Sequence, residues 1–144
     1  MKRALGVLFI AVVSMTMLAA SGMGGRNSTR DFLGLWEGVD VNDGSKRSIS
    51  ITDHDGDGVV KVAARDTYWT LCQGDRGLET AMGRVDRDGM LKTDGTVVCF
   101  DAFGNVESEA DVKQVYKLSR RERTLVAAAI TTTLIPITLH LVSE

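Results

Sequence analysis

Proline, histidine, cysteine and aromatic residues are all scarce in this sequence, and each shortage excludes a class of protein. One proline in 144 residues excludes a collagen-like repeat, and two cysteines are too few for a disulfide-dense mini-protein. Two histidines without any CxxC spacing give no zinc-site pattern. The remaining composition, 44% hydrophobic and 25% charged, argues against disorder. We therefore expect one globular domain.

The N-terminus has the pattern of a secretory signal peptide. Lys2 and Arg3 precede an apolar run that ends at Leu18, and small residues follow it. A charged start and a short apolar run are typical of a cleaved leader, whereas a transmembrane anchor needs about 20 apolar residues. We predict a signal peptide at 1–21, a flexible leader at 22–30 and one domain at 31–144. The protein would then be secreted or periplasmic, with no stable membrane anchor after cleavage.

Cleavage would leave an acidic chain. Loss of two basic residues lowers their number from 17 to 15 against 19 acidic residues, which gives a net charge of −4. The basic cluster at 120–123 is broken by Glu122 and falls where a turn is expected. Nucleic-acid binding, which needs an extended basic surface, is therefore not expected.

Cys72 and Cys99 are the two cysteines of the chain. In an exported protein a disulfide can form and persist, so we predict a structural bridge between them. Two buried thiols are the alternative.

Turn signals rich in Asp, Asn and Gly recur about every 8 to 12 residues after the leader. Between them, Ile49 and Ile51 alternate with serines, which is the pattern of a strand with one buried face. The regular spacing predicts an all-β antiparallel meander that closes into a barrel of about eight strands. The strands that we predict are 35–41, 47–52, 59–65, 67–71, 80–85, 90–93, 96–100, 114–118, 124–130 and 133–142. A single helical turn is expected at 29–33, and 107–113 is interpreted as a helical turn or a polar loop.

The segment 125–142 has a second interpretation, because its 18 residues carry no formal charge and follow a basic cluster. A membrane-spanning tail would fit that description. Several threonines, Pro136 and a period of two favour two strands instead. Since proline cannot donate to a ladder, Pro136 is expected at an edge or a bulge.

The segment 53–58 matches the first half of a calcium-binding loop. Asp53, Asp55 and Asp57 alternate before a glycine, but Ala64 stands where a bidentate glutamate would be needed. A plain hairpin turn is the favoured interpretation. A weak calcium site on the three aspartates is the alternative, and calcium is the one cofactor for which the sequence gives an argument.

No local motif for catalysis is present. The sequence has no G-x-S-x-G elbow, no H-E-x-x-H helix and no phosphate-binding glycine loop. We therefore expect a protein that is not an enzyme.

Gly34, Leu35 and Trp36 form a G-x-W pattern at the start of the first predicted strand. This opening is similar to that of the lipocalin and avidin-like barrels, which are grouped as calycins. The resemblance implies an up-and-down barrel in which Trp36 plugs the closed end and Gly34 allows close approach. The T-D-Y motif of lipocalins and the tryptophan-rich biotin pocket of avidins are absent, so biotin binding is not implied.

The expected function is that of an exported, non-enzymatic β-barrel that binds a small molecule or serves a structural role. A small apolar ligand would contact inward-facing side chains, for which we select Trp36, Ile49, Ile51, Val60, Val62, Trp69, Tyr116 and Leu139. The alternative is a secreted interaction protein, such as a barrel-type inhibitor of an extracellular hydrolase, whose partner is another secreted protein.

Overall fold

The computed structural model describes residues 27–41, 43–129 and 137–144, which form a closed antiparallel barrel with consecutive strands as neighbours. A short helix, α1 (Thr29–Phe32), precedes the strands. The strands are β1 (Gly34–Val39), β2 (Lys46–Asp53), β3 (Val59–Asp66), β4 (Arg76–Val85), β5 (Leu91–Phe100), β6 (Val106–Ser119), β7 (Thr124–Ala129) and β8 (Ile137–Ser143). Pairing of β1 with β8 closes the ring. The predicted fold class is therefore confirmed.

Aspartate side chains hold the turns that make this meander. Asp86 Oδ1 accepts hydrogen bonds from the backbone N–H groups of Asp88 and Met90, and Asp101 Oδ1 does the same for Phe103 and Asn105. Such local bonds fix a tight turn between strands. The short basic segment 120–123 also forms a turn, as predicted.

One end of the barrel is closed by α1. Phe32 is fully buried there, and its carbonyl oxygen accepts a 2.9 Å hydrogen bond from Trp36 Nε1. Gly34 has φ +124°, and a Cβ at this position would lie 2.5 Å from the Ser143 carbonyl oxygen. The close approach expected at Gly34 is thus present, and the helical turn predicted at 29–33 is confirmed.

The described residues begin at residue 27, before the predicted domain boundary at residue 31. Asn27 Nδ2 donates to the carbonyl oxygens of Gly89 and Leu118, both at 3.2 Å, which anchors this part of the predicted leader to the barrel. The signal peptide predicted at 1–21 lies outside the described residues, as does Pro136.

The other end of the barrel carries the connection between β3 and β4. We predicted a strand at 67–71, and this prediction is wrong, because Thr70–Cys72 forms a 3₁₀ turn. Gln73 follows with φ 55°, which ends the turn, and the side chain of Trp69 lies over Gly77. Cys72 is bonded to Cys99 on β5, which confirms the predicted disulfide and ties this connection to the barrel wall. A disulfide suggests a non-reducing environment.

Two predicted interruptions are also wrong. The strands expected at 90–93 and 96–100 are one strand, β5, in which Gly95 lies so close to Ala81 that a Cβ would overlap. This glycine serves close packing and not a turn. The segment 107–113 belongs to β6 and pairs with β5. The segment shows little alternation of apolar and polar residues because the first half of β6 is mostly exposed on both faces.

The segment 125–142 contributes strands in the part that the structure describes. β7 and β8 cover most of it, and they pair with each other. Residues 130–136 lie outside the described residues. Among the helices of the described chain, none has the length and apolar character needed to cross a membrane.

Candidate functional site: a polar centre inside the barrel and a groove outside it

All eight residues selected from the sequence as inward-facing are buried. They belong to one hydrophobic cluster inside the barrel: Trp36, Ile49, Ile51, Val60, Val62, Trp69, Tyr116 and Leu139. Their placement inside the barrel follows from strand alternation, except for Trp69, which reaches the interior from the connection after β3. A role of these residues in ligand contact stays a prediction.

Five polar side chains meet among these apolar ones, and we refer to them as the polar centre: Arg47, Glu79, Thr93, Gln114 and Tyr116. Arg47 Nη2 donates a 2.7 Å hydrogen bond to Gln114 Oε1, and Gln114 Nε2 donates a 2.6 Å hydrogen bond to Glu79 Oε2. Arg47 Nη2 also lies 3.6 Å from Glu79 Oε2. The amide of Gln114 thus bridges a buried cation and a buried carboxylate.

The register of the strands explains why these residues meet. Glu79 pairs with Ala64, and Gln114 pairs with Thr93. Ala64 is fully buried on the same inner face of the sheet. The guanidinium of Arg47 is covered by Trp69, with 4.9 Å from Cζ to the ring centroid, a distance at which cation–π attraction operates.

Burial controls the protonation of this centre. Burial raises the pKa of Glu79 to about 7, against a smaller lowering by the charge of Arg47. Burial also raises the pKa of Tyr116, and the nearby Glu79 charge raises it further. The tyrosine hydroxyl therefore stays protonated, whereas Glu79 changes its charge near neutral pH.

Four buried polar atoms of the centre lack a well-formed hydrogen bond to any described residue. They are Arg47 Nε, Glu79 Oε1, Thr93 Oγ1 and the Tyr116 hydroxyl, although Arg47 and Thr93 lie close to that hydroxyl. An unsatisfied buried polar group costs about 1–3 kcal/mol. Each of these atoms would be stabilised by a further hydrogen-bond partner, such as a water or a bound molecule.

Of the polar centre, only Tyr116 is among the inward-facing residues predicted from the sequence, yet strand alternation also gives a signal for two others. Arg47 has the same parity as Ile49 and Ile51 on β2, and Gln114 has the same parity as Tyr116 on β6. Alternation along each strand therefore places both side chains inside the barrel. Their meeting with Glu79 depends on register across several strands, which no local pattern gives.

The aspartates of the hairpin 53–58 have partners within the protein. Asp53 Oδ1 accepts the Gly56 N–H, and Asp57 Oδ1 accepts the Val59 N–H. Asp57 also pairs with Arg84 at 3.2 Å, and these contacts lower the pKa of Asp57. Within the described ranges, no group of three or more acidic, histidine or cysteine side chains is arranged to hold a metal ion. The contacts are those of a hairpin turn, and calcium binding stays a prediction.

A groove of about 880 Å³ lies on the outer face of β1 to β5, and we call it the outer groove. Its outward-facing lining comes from two rows of side chains, Glu37, Ser48, Arg65 and Leu78 in one and Val39, Lys46, Thr67, Arg76 and Phe100 in the other. In the first row, strand pairing places Ser48 between Glu37 and Arg65, and Leu78 lies on the other side of Arg65. These outward-facing side chains are on the face of the sheet opposite to the polar centre, although Arg47 of the polar centre also lines the outer groove.

A second cavity, of about 580 Å³, lies where α1 meets the C-terminus. Four of its five charged side chains form ion pairs, Arg120 with Asp31 and Arg123 with Glu144. These contacts hold the helix and the end of β8 against the barrel.

Comparisons of the chain with protein-family models, with curated proteins and with solved structures found no match.

Proposed function

We propose that this protein is an exported binding protein that holds a compact polar molecule at the polar centre. The observation that supports this proposal is the convergence of four buried polar atoms from four different strands, none of which has a well-formed hydrogen bond within the described part of the chain. Native proteins pair nearly all such atoms with protein, water or ligand. A bound molecule that pairs with one of these atoms removes a desolvation cost of about 1–3 kcal/mol for that atom.

The chemistry of these atoms defines the ligand. Arg47 Nε only donates, and Glu79 Oε1 accepts when the carboxyl is ionised. The hydroxyls of Thr93 and Tyr116 can do either. The ligand would therefore carry an acceptor towards Arg47 and a donor towards Glu79, within a few non-hydrogen atoms. The sequence led us to expect an apolar ligand, and the polar centre favours a polar one.

Export is part of the same proposal. The bridge between Cys72 and Cys99 supports a non-reducing location, and the predicted signal peptide supplies the route. Cell fractionation with N-terminal sequencing would test this part, because a secreted or periplasmic chain should begin near residue 21. A cytosolic chain that retains residues 1–21 would contradict it.

The ligand can be tested by native mass spectrometry of protein purified from the exported fraction of its own host. The unaltered protein should carry an additional small mass that is released on denaturation. Arg47→Met should abolish that mass, and Tyr116→Phe, which removes one hydroxyl, should reduce its occupancy. Lys61→Met is the matched control, because Lys61 is an exposed cation on β3.

The outcome separates binding from a structural role of the centre. Absence of any additional mass from the unaltered protein would overturn the proposal. Equal retention of the mass in the Arg47 and Tyr116 variants would also overturn it. Near-ultraviolet circular dichroism reports whether each variant is folded, and Tyr116→Phe provides the test if the arginine variant does not fold.

A further inference from the structure

The outer groove is basic, although the chain as a whole is acidic. The net charge of the protein is −2, yet the groove is lined by four cations, Lys46, Arg47, Arg65 and Arg76, and by two acidic residues, Glu37 and Asp66. Burial raises the pKa of Asp66. The local sign of charge is therefore opposite to that expected from the composition.

Two of these cations are not used by the fold. In the described part of the chain, neither Lys46 nor Arg65 forms an ion pair, and both side chains are exposed. Arg76 donates one 3.1 Å hydrogen bond to the Asp101 carbonyl oxygen, which holds its guanidinium at the edge of the groove. The groove thus presents positive charge that a negatively charged partner can neutralise.

Apolar side chains lie between the cations. Val39 is 54% exposed, and Leu78 and Phe100 are half-buried in the outer face of the barrel. An exposed apolar group flanked by unpaired charge is typical of an interaction surface, where apolar contact supplies affinity and charge supplies orientation.

The dimensions indicate an extended occupant. The groove crosses five neighbouring strands, β1 to β5. At about 4.8 Å between strands, this is a length of about 19 Å. An extended peptide advances about 3.3 Å per residue, so about six residues would span it.

We propose that the outer groove binds an extended segment of about six residues from a partner protein, with acidic side chains alternating with apolar ones. The acidic side chains would pair with Lys46, Arg65 and Arg76. The apolar side chains of the segment would pack against Val39, Leu78 and Phe100. Arg47 belongs both to the lining of the outer groove and to the polar centre, so the variants that test this surface are made at Val39 and Arg65, which are outside the polar centre.

The experiment uses fluorescence anisotropy with the full mature chain and a labelled peptide, Glu-Leu-Glu-Phe-Glu-Leu. Two further peptides serve as probes of charge and of apolar contact, Lys-Leu-Lys-Phe-Lys-Leu and Glu-Gly-Glu-Gly-Glu-Gly. Saturable binding is expected for the first peptide alone, and raising the salt concentration from about 20 mM to about 200 mM should weaken it.

Variants of exposed residues locate the binding. Arg65→Glu should weaken it about tenfold or more, and Val39→Ser about threefold or more. Lys61→Glu is the matched control, since Lys61 is exposed on the same strand as Arg65 but does not line the groove. It should change the Kd less than twofold.

Three results would overturn the proposal. The first is an acidic peptide that does not saturate, and the second is an equal loss of affinity in Arg65→Glu and Lys61→Glu. The third is tighter binding of decanoate, a small amphipathic anion, than of the peptide, which would assign the groove to a small molecule. None of these results bears on the ligand of the polar centre, which is measured separately by mass spectrometry.

Discussion

Replacing Glu79 by glutamine should change how stability depends on pH. Burial raises the pKa of this carboxyl from an ordinary value of 4.5 to about 7, so the folded protein binds the proton more tightly than the unfolded chain does. The stabilising effect of that proton is fully present below about pH 4.5 and is lost as the pH rises through 7. Stability should therefore fall with increasing pH across this window.

The size of the effect follows from the same two values. One pKa unit corresponds to 1.36 kcal/mol, so the shift of Glu79 from 4.5 to about 7 amounts to about 3 kcal/mol in total. Between pH 5 and pH 8 the corresponding loss is about 2–3 kcal/mol. A glutamine at this position would keep an oxygen that accepts the hydrogen bond from Gln114 but would have no proton to lose.

Urea unfolding of the oxidised protein at pH 5, 6, 7 and 8 measures this effect. The free energy of unfolding of Glu79→Gln, relative to the unaltered protein, should rise by about 2–3 kcal/mol from pH 5 to pH 8. Glu109→Gln, at an exposed position of β6, is the control and should track the unaltered protein. The other titrating groups are the same in all three proteins, so their contributions cancel when the free energies of unfolding are compared at one pH. Parallel curves for the unaltered protein and Glu79→Gln would refute the reasoning.

Three further changes test other parts of the structure. Replacing Cys72 and Cys99 together by serine should lower the free energy of unfolding by about 3–4 kcal/mol in urea titrations, because the bridge joins residues 27 positions apart. A change below about 1 kcal/mol would contradict this. Gly95→Ala should lower the free energy of unfolding by about 1–3 kcal/mol in thermal unfolding, since the new Cβ would overlap the Thr80 carbonyl oxygen and lie 2.5 Å from Ala81 Cβ. Unchanged stability would show that β4 and β5 are less tightly packed. Trp36→Phe leaves the Phe32 carbonyl oxygen without its 2.9 Å hydrogen-bond donor. We therefore expect the free energy of unfolding to fall by about 1–3 kcal/mol and amide exchange in α1 to become faster. Unchanged exchange would argue against this contact as the anchor of α1.

The meander and the disulfide could be predicted from the sequence because both depend on local signals. Turns rich in aspartate and glycine mark the hairpins, and the alternation of Ile49 and Ile51 marks a wall with one buried face. The errors arose where a residue serves a long-range purpose. Gly95 was interpreted as part of a turn, although it allows close packing against β4.

The polar centre shows the limit of sequence reasoning more clearly. The parity of Arg47 on β2 indicated a buried cation, but its partners come from β4 and β6, which are distant in sequence. Glu79 lies in a segment that the sequence analysis left outside any strand. Only the register across the barrel wall brings its carboxylate within reach of Arg47 and Gln114.

The central claim, that the polar centre holds a bound molecule, is tested most directly by a high-resolution crystal structure of protein purified from its own exported fraction. We predict continuous density of several bonded non-hydrogen atoms within hydrogen-bond distance of Arg47 Nε, Glu79 Oε1 and the Tyr116 hydroxyl. Separate peaks of single water molecules at those positions, or side chains paired only with one another, would contradict the account.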